Sequence, residues 1–136
     1  MGRFSVEVEL ASSEDLILVQ LGMLPPEKVR RVRLPAVVET GATLLMLPEN
    51  FAEQLGFTRT GTVAIRFADE RVLPRPKVGP VWLQLQGRSG YFNATVEPDR
   101  TTVLLGAIVL EDLDFLVDCK NQQLVPRDPN TVTAEA

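Results

Sequence analysis

The chain has no histidine and a single cysteine among its 136 residues. Without an imidazole, neither a Ser-His-Asp nor a Cys-His nucleophile can be assembled. Histidine-ligated zinc is excluded as well, and one thiolate cannot make a structural zinc site. Cys119 has no partner for an internal disulfide, which fits a reducing, cytoplasmic setting. Long apolar runs are also missing. The clearest, Val103 to Leu110, falls far short of the roughly 20 residues a helix needs to cross a bilayer. The N-terminal residues show no signal-peptide core, and Val6 stands where a myristoylation signal wants Ser or Thr. Neither common glycine-rich phosphate loop is present. The net charge is -4, and the basic residues are dispersed except at Lys28 to Arg33. That leaves no footprint for nucleic acid, and the short cluster reads as a solvated strand face. No cofactor and no metal are expected, nor a membrane partner. Any hydrolytic chemistry must rest on carboxylates, hydroxyls, amines or backbone groups.

Apolar residues make up 45% of the chain, enough to build the core of one domain. Val6, Val8 and Leu10 alternate with acids, the mark of a half-buried strand. Ala11 to Asp15 reads as a polar turn, and Leu16 to Leu21 as a second strand. Pro25-Pro26 breaks any regular element, and Pro35 interrupts the next strand. Pro48-Glu49 predicts a short helix, with Phe51 and Leu55 on one face and Gly56 as its C-terminal cap. Strands follow around Val63 to Phe67 and Val81 to Leu85, with a charged hairpin tip at Ala68 to Arg71. Pro74 and Pro76 make the returning segment an edge or an irregular stretch. Phe92 to Val96 and Val103 to Leu105 predict further strands, and Ala107 to Leu113 a second short helix. Phe115 to Val117 is expected to pair with Leu124-Val125. Trp82 and Tyr91 read as packing residues. Many short strands and few helices predict a mainly β fold, closed or sandwiched. One domain is expected over residues 1–126, with a flexible tail at 127–136.

The most informative segment is Val37-Val38-Glu39-Thr40-Gly41-Ala42-Thr43. An apolar strand ends there in a carboxylate, a hydroxyl and a glycine. Taken alone, it is also an ordinary strand-ending turn, with Gly41 present for its backbone freedom. It is followed by Leu44 to Leu47, by the hairpin at Phe67 to Leu73, and by Leu104-Leu105-Gly106. In that order the motifs resemble the retropepsin-like aspartic proteases. The run from Leu105 to Glu111, followed by Phe115 to Asp118, resembles the bacterial single-domain members. The likeness covers roughly residues 5–126. One position departs from the family pattern: Glu39 stands where the family has its catalytic Asp.

The resemblance implies a closed, barrel-like acid protease half-domain that works as a homodimer on a peptide or protein substrate. Glu39 would be the catalytic carboxylate. Thr40, Gly41, Ala42, Thr43, Leu105 and Gly106 would support it. Phe67, Ala68, Asp69, Glu70, Arg71, Val72 and Leu73 would form a flap over the substrate. The chemistry behind such a site is simple. Two apposed carboxylates share one proton and hold a water between them; one activates the water while the other donates to the carbonyl oxygen. One chain supplies one carboxylate, so a twofold dimer must supply the second. Glu39 adds a methylene and a rotatable bond to each half of that pair. Two function classes follow: an aspartic-type endopeptidase, slowed or silenced by Glu39, and a non-catalytic dimeric peptide-binding module on the same fold.

Overall fold

The computed structural model describes residues 3–135. Strand β1 (Arg3–Ser12) runs antiparallel to β2 (Arg31–Glu39). Strand β2 lies parallel to β7 (Val103–Leu105), which pairs with β3 (Leu45–Pro48). From β3 the sheet continues through β6 (Arg88–Glu97) to β5 (Val72–Leu85), and β5 returns to pair with β1. That last pairing closes the sheet into a barrel, as expected for a mainly β half-domain. Closure removes most of the open edges that invite aggregation, although β6 is unpaired on its β3 side before Ala94. Among the described residues, strand β4 (Arg59–Arg66) pairs only with β5 and stands outside the ring. A separate hairpin joins β8 (Phe115–Asp118) and β9 (Gln123–Pro126), with Leu116 opposite Val125 as the apolar spacing predicts.

The barrel interior is filled by side chains. Leu10, Leu45, Leu47, Leu83, Leu85 and Leu105 are all essentially inaccessible. Each contributes about 1.5–3 kcal/mol by leaving water. Helix α2 (Glu49–Gln54) begins directly after Pro48 and ends at Gly56, whose φ of 64° is the left-handed conformation a C-terminal glycine supplies. Helix α3 (Ala107–Asp112) follows β7 directly. Pro35 does not break β2. It faces Glu7 on β1, and the β7 ladder begins only at Ala36, so its missing N–H is not needed there. Pro74 and Pro76 likewise sit within β5, opposite Ala64 and Thr62, on the stretch where β5 has β4 alone as neighbour.

One expectation is overturned. Leu16 to Leu21 is not a strand. Helix α1 (Ser13–Gln20) occupies that stretch, and β1 runs on to Ser12 in place of the predicted turn. Local capping outweighed the apolar run. The Ser12 hydroxyl accepts from the Asp15 N–H, and Glu14 and Asp15 sit at the positive end of the helix dipole. Asp15 then accepts from Arg30 through its backbone N–H, Nε and Nη2, at 2.9, 2.9 and 3.0 Å. Arg30 therefore leaves the basic cluster, while Arg31 and Arg33 pair with Glu9 and Glu7 on the strand face.

The Asp15–Arg30 contact makes a prediction. Hydrogen bonds from the Arg30 side chain, more than any other influence, hold the Asp15 carboxyl below its ordinary value. The contribution is therefore complete above the unfolded carboxylate range and is lost as pH falls through the folded value. Asp15→Asn should cost about 1–2 kcal/mol at pH 7, a charged hydrogen-bond loss reduced by the partial exposure of Arg30. Urea unfolding at pH 7 and at pH 3 checks this: the gap between variant and parent should shrink in acid.

The segment expected as a flexible tail makes several contacts with the body. Arg127 Nε lies 2.7 Å from Asp114 Oδ1, and the Thr133 N–H donates to Asp114 Oδ2 at 3.0 Å. Arg88 donates to the carbonyls of Asp128 and Thr131.

Candidate active site

Strand β2 delivers Glu39 to the end of the barrel. Val37 and Val38 lie in register with Leu104 and Leu105, so both halves of the motif are neighbours in one parallel ladder. The chain then turns, with the Ala42 N–H donating to the Glu39 carbonyl at 3.1 Å. The carbonyls of Ala42 and Thr43 accept from the N–H groups of Ala107 and Ile108, at 2.9 and 3.0 Å. Those are free donors of the first turn of α3, so the turn and the helix satisfy each other. Gly106 makes the junction possible. A Cβ there would lie 2.5 Å from the Thr43 carbonyl carbon and 2.6 Å from Leu44 N and O. The family-like glycine is a steric requirement set by main chain on main chain.

Thr40, Gly41 and Thr43 are exposed, Ala42 is half-buried, and Leu105 and Gly106 are buried beneath them. The Glu39 side chain is 17% exposed and is not free. Arg3 Nε donates to its Oε2 at 2.9 Å. The two residues are direct cross-strand partners in the β1–β2 ladder. Arg100 is a second cation close by. Burial first, and then the charge of Arg3, push its guanidinium below the usual value, while Glu97 and Glu39 pull the other way. Arg100 Nε also donates to the Thr102 carbonyl at 2.8 Å.

The candidate flap is the tip of the β4–β5 hairpin. The Phe67 N–H donates to the Arg71 carbonyl at 2.8 Å, and Glu70 sits at a φ of 71°. Ala68, Asp69, Glu70, Arg71 and Val72 are exposed, whereas Phe67 and Leu73 are half-buried. The Arg71 N–H, then its guanidinium, lowers the Asp69 carboxyl below its ordinary value. Phe67 lies beneath two cations, with the Arg71 and Arg75 guanidinium carbons 5.8 and 5.5 Å from its ring centre. Arg75 in turn reaches Glu97 Oε1 at 2.6 Å, where both side chains are largely buried. That pair anchors the hairpin to β6. Among the described residues, no hydrogen bond or ion pair joins the hairpin tip to the Glu39 turn.

Solved structures share this architecture. The solution structure of simian foamy virus (mac) protease superposes with a TM-score of 0.50 at 19% identity, over 79% of this chain and 91% of that one. The fold is that of a retroviral protease. An EIAV protease complexed with an inhibitor also matches, at a TM-score of 0.48 and 21% identity, over 60% of this chain and 77% of that one. No protein-family model and no curated protein sequence matches the chain. Within the retroviral-protease fold, sequence reading brought Glu39 and Gly106 forward and missed Arg3, Arg75, Glu97 and Arg100. Arg3, Arg75 and Glu97 become neighbours of the motif or the hairpin through strand register, and Arg100 through the loop between β6 and β7, neither of which leaves a local signal in the sequence.

Proposed function

We propose that the chain is an aspartic-type endopeptidase of the retropepsin-like kind, working as a homodimer with one carboxylate per chain and slowed by Glu39. One observation carries the reading: the Glu39 turn is locked onto Gly106 and the start of α3 at the end of a barrel of retroviral-protease fold. Thr40 and Gly41 lie on the exposed side of that turn, where a second copy would bring its own Glu39. Two such carboxylates would hold a water and share a proton. The hairpin from Phe67 to Leu73 would close over an extended peptide and exclude solvent.

The Arg3–Glu39 pair favours a second reading, a non-catalytic dimeric peptide-binding module. Arg3 occupies an oxygen that a proton-sharing pair would turn toward its copy. The deciding experiment incubates the chain with an extended-peptide library from acidic to neutral pH, with and without a transition-state-mimicking inhibitor. Sedimentation at micromolar concentration runs in parallel. Inhibitor-sensitive cleavage by a species of twice the chain mass supports the peptidase. Inhibitor binding without cleavage supports the module, and a strict monomer at every concentration overturns the shared site.

A further inference from the structure

One open groove in the molecule does not have Glu39 among its lining residues. It is a groove of about 1050 Å³ running from Leu44 and Val63 past β6 to α3, β8 and the last described residues. Three large apolar side chains from three elements converge on it although they are solvent-exposed: Tyr91 at 54%, Ile108 at 45% and Leu116 at 52%. Tyr91, expected to be a packing residue, is thus a wall of an open groove. Exposed apolar groups gathered in one concavity mark a binding surface more often than scattered ones do.

Three further observations say what kind of ligand the groove fits. Strand β6 pairs with β3 only from Ala94 onward, so its Tyr91–Asn93 stretch offers an unpaired backbone edge to the groove. Thr95 contributes to the wall, is only 2% exposed, and its hydroxyl has no hydrogen-bond partner among the described residues. The charge is one-sided. Glu111, Asp112, Asp114 and Glu135 line the groove against Lys77 and Arg127, and Arg127 is already engaged by Asp114. Glu111 and Asp112 are exposed and have no ion-pair partner among the described residues.

We infer that this groove binds an extended peptide carrying alternating apolar and basic side chains, added as a strand along Tyr91–Asn93. The peptide backbone would extend the β6 edge, the mode in which main-chain hydrogen bonds supply affinity and side-chain pockets supply selectivity. Its apolar side chains would cover Ile108 and Leu116, and its cations would face Glu111 and Asp112. Residues 39–43 do not line the groove, and binding there does not depend on catalysis at Glu39.

The test uses a fluorescein-labelled, end-capped Lys-Val-Lys-Val-Lys-Val probe, with Glu-Val-Glu-Val-Glu-Val as the charge-reversed control, read by anisotropy on the full chain. The basic probe should bind and the acidic one should not. The double variant Glu111→Lys with Asp112→Lys should weaken binding on the order of tenfold, as expected for losing two exposed charge contacts and gaining repulsion. Leu116→Ser should weaken it through the apolar contact, at an exposed position that leaves the core unchanged. Glu39→Ala should leave affinity unchanged, which separates this groove from the proposed catalytic cleft. Equal binding of both probes, indifference to the groove variants, loss of binding in Glu39→Ala, or no binding at all would each overturn the assignment.

Discussion

Gly106→Ala should destabilise the chain by about 3 kcal/mol or more, at the upper end for overpacking, because the added methyl meets main chain on the Glu39 turn. A flexible side chain could swing aside, but the Thr43 and Leu44 backbone is held by the hydrogen bonds to Ala107 and Ile108. Such a loss is a large part of the roughly 5–15 kcal/mol that a domain has in total. Gly61→Ala is the control. A Cβ added there would meet nothing within 4 Å, so its effect should stay within about 1 kcal/mol. Urea midpoints measure both, and amide exchange at Ala107 and Ile108 reports on the junction itself. Equal midpoints for the two variants would show that the junction yields, and the claim that Gly106 is a steric requirement would be lost.

Glu39→Asp combined with Arg3→Ala should raise peptide hydrolysis on the order of 10²-fold over the parent chain, with the greatest rate on the acid side of neutrality. In the proposed shared-proton pair the extra methylene of Glu39 would displace each carboxylate, and correcting a displacement of about 1 Å would be worth roughly that factor. Removing Arg3 frees the oxygen it occupies at 2.9 Å. Acidity preserves the single proton that two apposed carboxylates share. The single variants separate the causes: if geometry dominates, Glu39→Asp alone recovers most of the gain, and if the ion pair dominates, Arg3→Ala does. Cleavage rates on a broad peptide library across pH decide the matter. A dimeric double variant without activity at any pH would leave the binding module as the function.

Strand content, the two short helices around Glu49 and Ala107, the β8–β9 hairpin and the Glu39 and Gly106 motifs were all legible in the sequence. Each is a local signal: period-two alternation, a proline before an acid, a glycine after an apolar run. Leu16 to Leu21 misled because an apolar run of that length fits a strand or a helix equally well. The arbiter was Asp15, whose partner Arg30 comes from beyond the loop that follows the helix. Tyr91 misled because an aromatic residue in an alternating strand usually packs, and only the short β3–β6 ladder leaves its side uncovered.

By itself, then, the sequence determined which chemistry is possible. Lacking histidine and holding one cysteine, the chain is left with carboxylates, hydroxyls, amines and backbone groups, and Glu39 stands out among them because a glycine turn and a distant Leu-Leu-Gly accompany it. Tertiary structure decided what surrounds that carboxylate. Barrel closure brought β7 beside β2, set Arg3 opposite Glu39, placed Arg75 on Glu97, and left the edge of β6 open above an acidic groove. The physical reason is register. Side chains alternate between faces with a period of two, so a shift of one residue would turn Arg3 away from Glu39, and only the closed set of pairings determines which register is kept.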